Sequence, residues 1–121
     1  MPQSKTILIV DDDPDVRYLC QSILEAEGYR VHTAEDGQEG VELAEKVKPD
    51  LIVLDIIMER INSGYTVAEK LGRRFPIILF SSITNESDQI FDPEALPVRA
   101  VVSKPVERAK LLDKVREVLG A

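Results

Sequence analysis

The sequence predicts an α/β domain built on an open parallel sheet with helices on its faces. Three observations predict it. Short apolar runs alternate with stretches whose apolar positions recur at helical spacing, the pattern of βαβ units. The runs are continuously apolar, which fits strands covered on both faces. Each run also ends in a polar group. Ile7-Leu8-Ile9-Val10 leads into Asp11-Asp12-Asp13, and Leu51-Ile52-Val53-Leu54 into Asp55. Ile77-Ile78-Leu79-Phe80 ends at Ser81, and Ala100-Val101-Val102 at Ser103 and Lys104.

The elements follow in order. Residues 6–10 form the first strand. A helix starts at Pro14, with Asp13 as N-cap and the proline at the first helical position. Val16, Leu19, Cys20, Ile23 and Leu24 are expected to face inward, and Gly28 to close the helix. Residues 29–34 read as the second strand, with Val31 and Tyr29 turned inward. Asp36-Gly37-Gln38-Glu39 reads as a capping box opening the second helix. Val41, Ala44 and Val47 form its apolar face, and Pro49 ends it. Residues 51–54 are the third strand, 58–63 a loop, and 64–74 a helix carrying Val67, Ala68 and Leu71. Residues 76–80 and 99–103 are the last two strands. The final helix is expected over 106–119, on a stripe of Leu111, Leu112, Val115, Val118 and Leu119. Residues 82–98 have room for one more helix, but Pro93 and Pro97 interrupt the pattern, so a short or irregular helix is expected.

With 121 residues, 44% of them hydrophobic, the chain has the size of one domain with a real core and is too apolar to be disordered. One domain is expected over 1–121, with residues 1–5 as a flexible lead. No apolar run approaches a membrane span, and no signal peptide is visible. A single cysteine excludes an intrachain disulfide or a zinc cluster and fits a reducing, cytoplasmic setting. The net charge of −7 argues against direct nucleic-acid binding, which needs a positive face.

In an open parallel sheet, ligands bind at the carboxyl ends of the strands. Carboxylates, a hydroxyl and a lysine gathered there suit a divalent cation and a phosphoryl group. Asp13 is ascribed only a capping role, Cys20 a place in the core, and His32 no role. Gly37 and Gly40 do not form a phosphate loop, since no Gly-Lys-Ser/Thr follows them.

The acidic pair after strand one, the aspartate after strand three, the hydroxyl after strand four and the Lys-Pro after strand five resemble the receiver domain of two-component response regulators, the CheY-like family. The resemblance covers essentially the whole chain. It implies a three-layer, doubly wound, flavodoxin-like fold with five parallel strands in the order 2-1-3-4-5. By the same resemblance, Asp55 is the phosphoacceptor. Asp11 and Asp12 hold Mg²⁺ together with Asp55 and the backbone carbonyl of Ile57. Ser81 turns towards the attached phosphate, Lys104 pairs with phosphoryl oxygens, and the Lys104-Pro105 bond is cis. The implied function is that of a stand-alone receiver in a phosphorelay. It is phosphorylated by a sensor histidine kinase or a phosphotransfer protein and signals to a downstream protein. It is not an enzyme beyond catalysing its own phosphorylation and dephosphorylation.

The sequence departs from the family pattern in three places. Glu59, not proline, follows Met58, and Gly64 arrives about one residue late. Val101 stands where the family carries an aromatic ring on strand five. The 82–98 segment is a poor helix. The usual readout surface is therefore expected to differ while the phosphorylation chemistry is retained. Two rival readings remain open at this point. One is a haloacid dehalogenase-type phosphatase using Asp11 of an Asp-x-Asp pattern, although Asp15 replaces the expected threonine or valine. The other is a pseudo-receiver used only for docking.

Overall fold

The computed structural model describes residues 5–55, 71, 72, 74–81, 100–103 and 107–120. Its strands are β1 (Thr6–Val10), β2 (Arg30–Ala34), β3 (Leu51–Asp55), β4 (Ile77–Ser81) and β5 (Ala100–Ser103). They form one parallel sheet in the order β2-β1-β3-β4-β5. Its helices are α1 (Pro14–Ala26), α2 (Gly37–Val47) and α3 (Arg108–Leu119). The expected irregular helix at 82–98 and most of the helix at 64–74 lie outside the described residues. So does the lead at residues 1–4.

Strand alternation divides the core between the two faces of the sheet. Leu8, Val10, Ile52, Leu54, Ile77 and Leu79 pack with Ala44 of α2 and with Leu71. Ile7, Ile9, Leu51, Val53, Ile78, Phe80 and Val102 pack with Cys20, Ile23 and Leu24 of α1 and Leu111, Leu112 and Val115 of α3. The continuous apolar runs are thus what two covered faces require. Each such side chain, fully buried, contributes roughly 1.5–3 kcal/mol.

The caps read from the sequence are formed. Asp13 accepts a hydrogen bond from the Asp15 amide at 2.9 Å, and Asp36 accepts one from the Glu39 amide at 2.8 Å. Glu39 reaches back to the Glu35 amide at 2.8 Å, one residue beyond the usual capping-box partner. Gly28 follows α1 with φ +95°, a conformation that suits glycine. Before Pro49, Lys48 takes the left-handed cap position with φ 50°.

Four details differ from expectation. Leu19 is not on the inner stripe but 43% exposed. At 3.6 residues per turn it lies roughly 85° from the centre of the stripe set by Val16, Cys20, Ile23 and Leu24. Tyr29 precedes β2 instead of joining it, yet still packs against the core. β3 and β4 each run one residue further, so Asp55 and Ser81 are the last residues of their strands. α3 begins at Arg108 with Glu107 as N-cap, two residues later than expected.

At the amino edge, the Thr6 amide bonds the Asp50 carboxylate at 2.8 Å, and the Asp50 amide bonds the Thr6 carbonyl at 2.7 Å. This pair secures the start of β3 against β1. At the carboxyl edge, Gly40 brings α2 close to β1. A Cβ on Gly40 would meet Cγ2 of Val10 at 2.9 Å.

Candidate phosphoacceptor and metal site

Parallel register decides which strand ends meet. Val10 lies opposite both Ala34 of β2 and Leu54 of β3. The residues that follow on β1 and β3, Asp11 and Asp55, therefore leave the sheet side by side. Asp55 is in turn opposite Phe80, and Ser81 is opposite Ser103. The sheet thus places Ser81 next in line, and Lys104 follows Ser103 in the chain.

Asp11, Asp12 and Asp55 converge. One carboxylate oxygen from each lies within 4.8 Å of the others. Asp11 is fully buried, Asp55 is 3% exposed, and Asp12 is exposed. The site therefore has two buried carboxylates and a third at the surface. Asp11 is held on several sides. Its amide donates to the Ala34 carbonyl at 3.1 Å, and its Oδ1 accepts from the Asp13 amide at 2.9 Å. Its carbonyl accepts from Nη1 of Arg17 at 2.5 Å.

These donors fit a hard divalent cation. Carboxylate oxygens are what Mg²⁺ takes, while it keeps several waters. Electrostatics points the same way. Two carboxylates about 5 Å apart repel by roughly 3 kcal/mol at an effective dielectric of about 20. A dication among three of them removes that cost. The site so built gathers carboxylate oxygens, able to ligate a cation or to act as nucleophiles, at the edge where the strands end.

Comparison with known proteins agrees with this geometry. A family model described as the response regulator receiver domain matches residues 7–116. The chain belongs to the response regulator receiver domain family. This receiver is 34% identical over 119 residues to protein PilH of Pseudomonas aeruginosa, covering 94% of this chain and 97% of PilH. It is 35% identical to the alkaline phosphatase synthesis transcriptional regulatory protein PhoP of Bacillus subtilis, over 96% of this chain but only 49% of PhoP. The chain thus spans about half the length of such transcriptional regulators. Among solved structures it resembles the receiver domain of sensor histidine kinase PA1611 from Pseudomonas aeruginosa, with TM-score 0.86 and 27% identity over 98% of this chain and 100% of that one. In that structure a magnesium ion is coordinated in the active site cleft. Chemotaxis protein CheY4 of Vibrio cholerae matches with TM-score 0.85 and 27% identity over 97% of this chain and all of the other.

A receiver domain is a signalling domain of two-component systems, and the acidic pocket of Asp11, Asp12 and Asp55 is of the type in which such domains keep a phosphoacceptor aspartate and bind Mg²⁺. The fold is the flavodoxin-like α/β fold of its CheY-like neighbours. Neither relatives nor neighbours lend support to the phosphatase reading. Among the described residues, no helix is long and apolar enough to cross a membrane.

Of the residues expected at the site, Asp11, Asp12 and Asp55 are brought together. Ser81 is placed at the end of β4. Ile57, Lys104 and the Lys104-Pro105 bond lie outside the described residues. Sequence reasoning missed Arg17. A signal for it exists. A cation near a helix N-terminus is disfavoured by the helix dipole, so its presence there calls for an acceptor nearby.

Proposed function

We propose that this receiver is phosphorylated on Asp55 by a phosphohistidine of a sensor histidine kinase or phosphotransfer protein, with Mg²⁺ held by Asp11, Asp12, Asp55 and the carbonyl of Ile57. The observation that carries this reading is the convergence of the three carboxylates at the carboxyl edge of the sheet. A carboxylate oxygen of Asp55 attacks phosphorus, the P–N bond to the donor histidine breaks, and the histidine takes up a proton. Mg²⁺, when bound, neutralises charge on the phosphoryl oxygens. Asp11 and Asp12 supply the negative charge that retains it. Ser81 and Lys104 complete the site by their match to the family pattern, as the hydroxyl and the cation that meet the attached phosphoryl group. The added charge biases a two-state equilibrium and so alters affinity for a downstream protein. Val101 removes the ring that usually reports this change on strand five, so the readout runs through other groups. We place this activity in the cytoplasm, where kinase domains present phosphohistidine.

Acetyl phosphate tests the chemistry without a kinase. Intact-mass analysis should show one added phosphoryl group with Mg²⁺ and none with EDTA. Sustained turnover of a generic phosphate ester would instead favour the phosphatase reading. A chain that takes up no phosphoryl group from acetyl phosphate or from phosphorylated kinases would be the docking module.

A further inference from the structure

The Arg17 side chain turns back from α1 to the strand end it follows. Its guanidinium donates to the carbonyl oxygen of Asp11 at 2.5 Å, while its own amide donates to the Asp13 carbonyl at 3.0 Å. Arg17 is half-buried, and the carboxylate of the residue it grips is one of the three that converge. Asp11 also ties down Asp13 through Oδ1, so residues 11–13 and the first turns of α1 form one hydrogen-bonded unit. The carbonyl that Arg17 holds and the carboxylate in the trio are on the same residue, so the bond restricts the backbone freedom through which that carboxylate could drift from the other two.

We propose that Arg17 is a positioning residue for the cation site: it fixes the Asp11 backbone so that the aspartates meet a divalent metal with little rearrangement. This rests on the reading of Asp11, Asp12 and Asp55 as that site. Two effects of Arg17 oppose each other. Its charge repels a metal dication, whereas its hydrogen bond holds a ligand in place. The repulsion acts over a distance and is weakened by solvent and salt, whereas the hydrogen bond acts at contact distance. Geometry therefore prevails. Hydrogen bonds made to the ligating groups themselves affect metal affinity by about 10–100-fold, and a bond to the ligand residue's backbone belongs at the low end of that range.

The test uses unphosphorylated protein and two variants, Arg17→Met and Arg17→Lys. Calorimetric titration with Mg²⁺ reads affinity. Amide exchange in EDTA reads the backbone without metal. Arg17→Met should bind Mg²⁺ about tenfold more weakly. Its Asp13 amide should exchange faster, while amides in β3 and α2 keep their wild-type rates. Arg17→Lys, which keeps the charge and one donor, should recover part of the affinity. Unchanged or tighter Mg²⁺ binding by Arg17→Met, with the wild type binding normally, overturns the proposal. So does faster exchange throughout α1 with an unmoved Mg²⁺ affinity, which is the signature of a purely structural role. If the wild type itself takes up no Mg²⁺, the reading of the cation site falls, and this inference falls with it.

Discussion

Val10 and Leu54 lie opposite each other on adjacent parallel strands, and this one register pair brings Asp11 and Asp55 out of the sheet together. A slip of one residue would move Asp55 by about 3.3 Å along β1 and turn its side chain to the other face, away from Asp11. The site is therefore specified by the same packing that holds the core, and perturbing either should be felt in the other.

Replacing Asp55 by asparagine removes the proposed nucleophile with almost no change in volume. Asp55→Asn should lose stable labelling from acetyl phosphate or a phosphorylated kinase while retaining the wild-type circular dichroism spectrum. Undiminished labelling at another aspartate would remove Asp55 from its role.

Asp12 is the exposed member of the trio, so it can be truncated without opening a cavity. Asp12→Ala relieves like-charge repulsion and should raise the melting temperature in EDTA by a few degrees, at about 3–5 °C per kcal/mol for a domain of this size. Mg²⁺ should stabilise the wild type by mass action and the variant much less. Melts with and without metal decide this, and a wild type indifferent to Mg²⁺ contradicts the site.

Gly40→Ala sets two effects against each other. Alanine favours the helix by about 1 kcal/mol. Its Cβ, however, would sit 2.9 Å from a methyl of Val10, a stiff and fully buried side chain. Overpacking of this kind costs about 1–3 kcal/mol and should prevail. Urea denaturation should show a net loss of stability. A stabilised variant would mean that α2 moves away from β1 freely.

Glu27 joins α1 to α3. Its two oxygens accept from Arg108 at 2.7 Å and Arg116 at 3.0 Å, linking the C-cap of α1 to α3. Paired surface charges contribute little singly, roughly 0.2–1 kcal/mol each. Glu27→Gln should cost about 1 kcal/mol at low salt and less at high salt, because screening weakens the wild-type pairs. Equal loss at both salt concentrations would point to packing instead.

Tyr18 and Leu19 are the exposed large apolar side chains among the described residues, and both sit on α1 just beyond the site. If a kinase docks there, Tyr18→Ala should slow phosphotransfer from the kinase about tenfold or more, as loss of a buried aromatic anchor does. The rate with acetyl phosphate should stay unchanged. Equal slowing with both donors would place the defect in the site.

The sequence by itself determined the alternation of strand and helix, the caps at Asp13 and Asp36, the turn at Gly28 and the identity of the three carboxylates. The first three are governed by local chemistry: a continuous apolar run or a 3.6-residue period, a side chain reaching a nearby amide, a backbone angle open to glycine. The carboxylates were legible from their places at strand ends and the resemblance of that pattern to the receiver family. What lay between distant residues had to wait for the tertiary structure. It showed that Leu19 faces solvent, because only packing decides how wide a helix's buried stripe is. It showed that Asp55 and Ser81 still belong to their strands, because pairing across the sheet extends them. Arg17 reaching the Asp11 carbonyl, Gly40 meeting Val10, and Glu27 bridging to residues more than eighty positions away have the same origin. Such contacts depend on the direction of side chains in the folded state, which spacing along the chain does not encode.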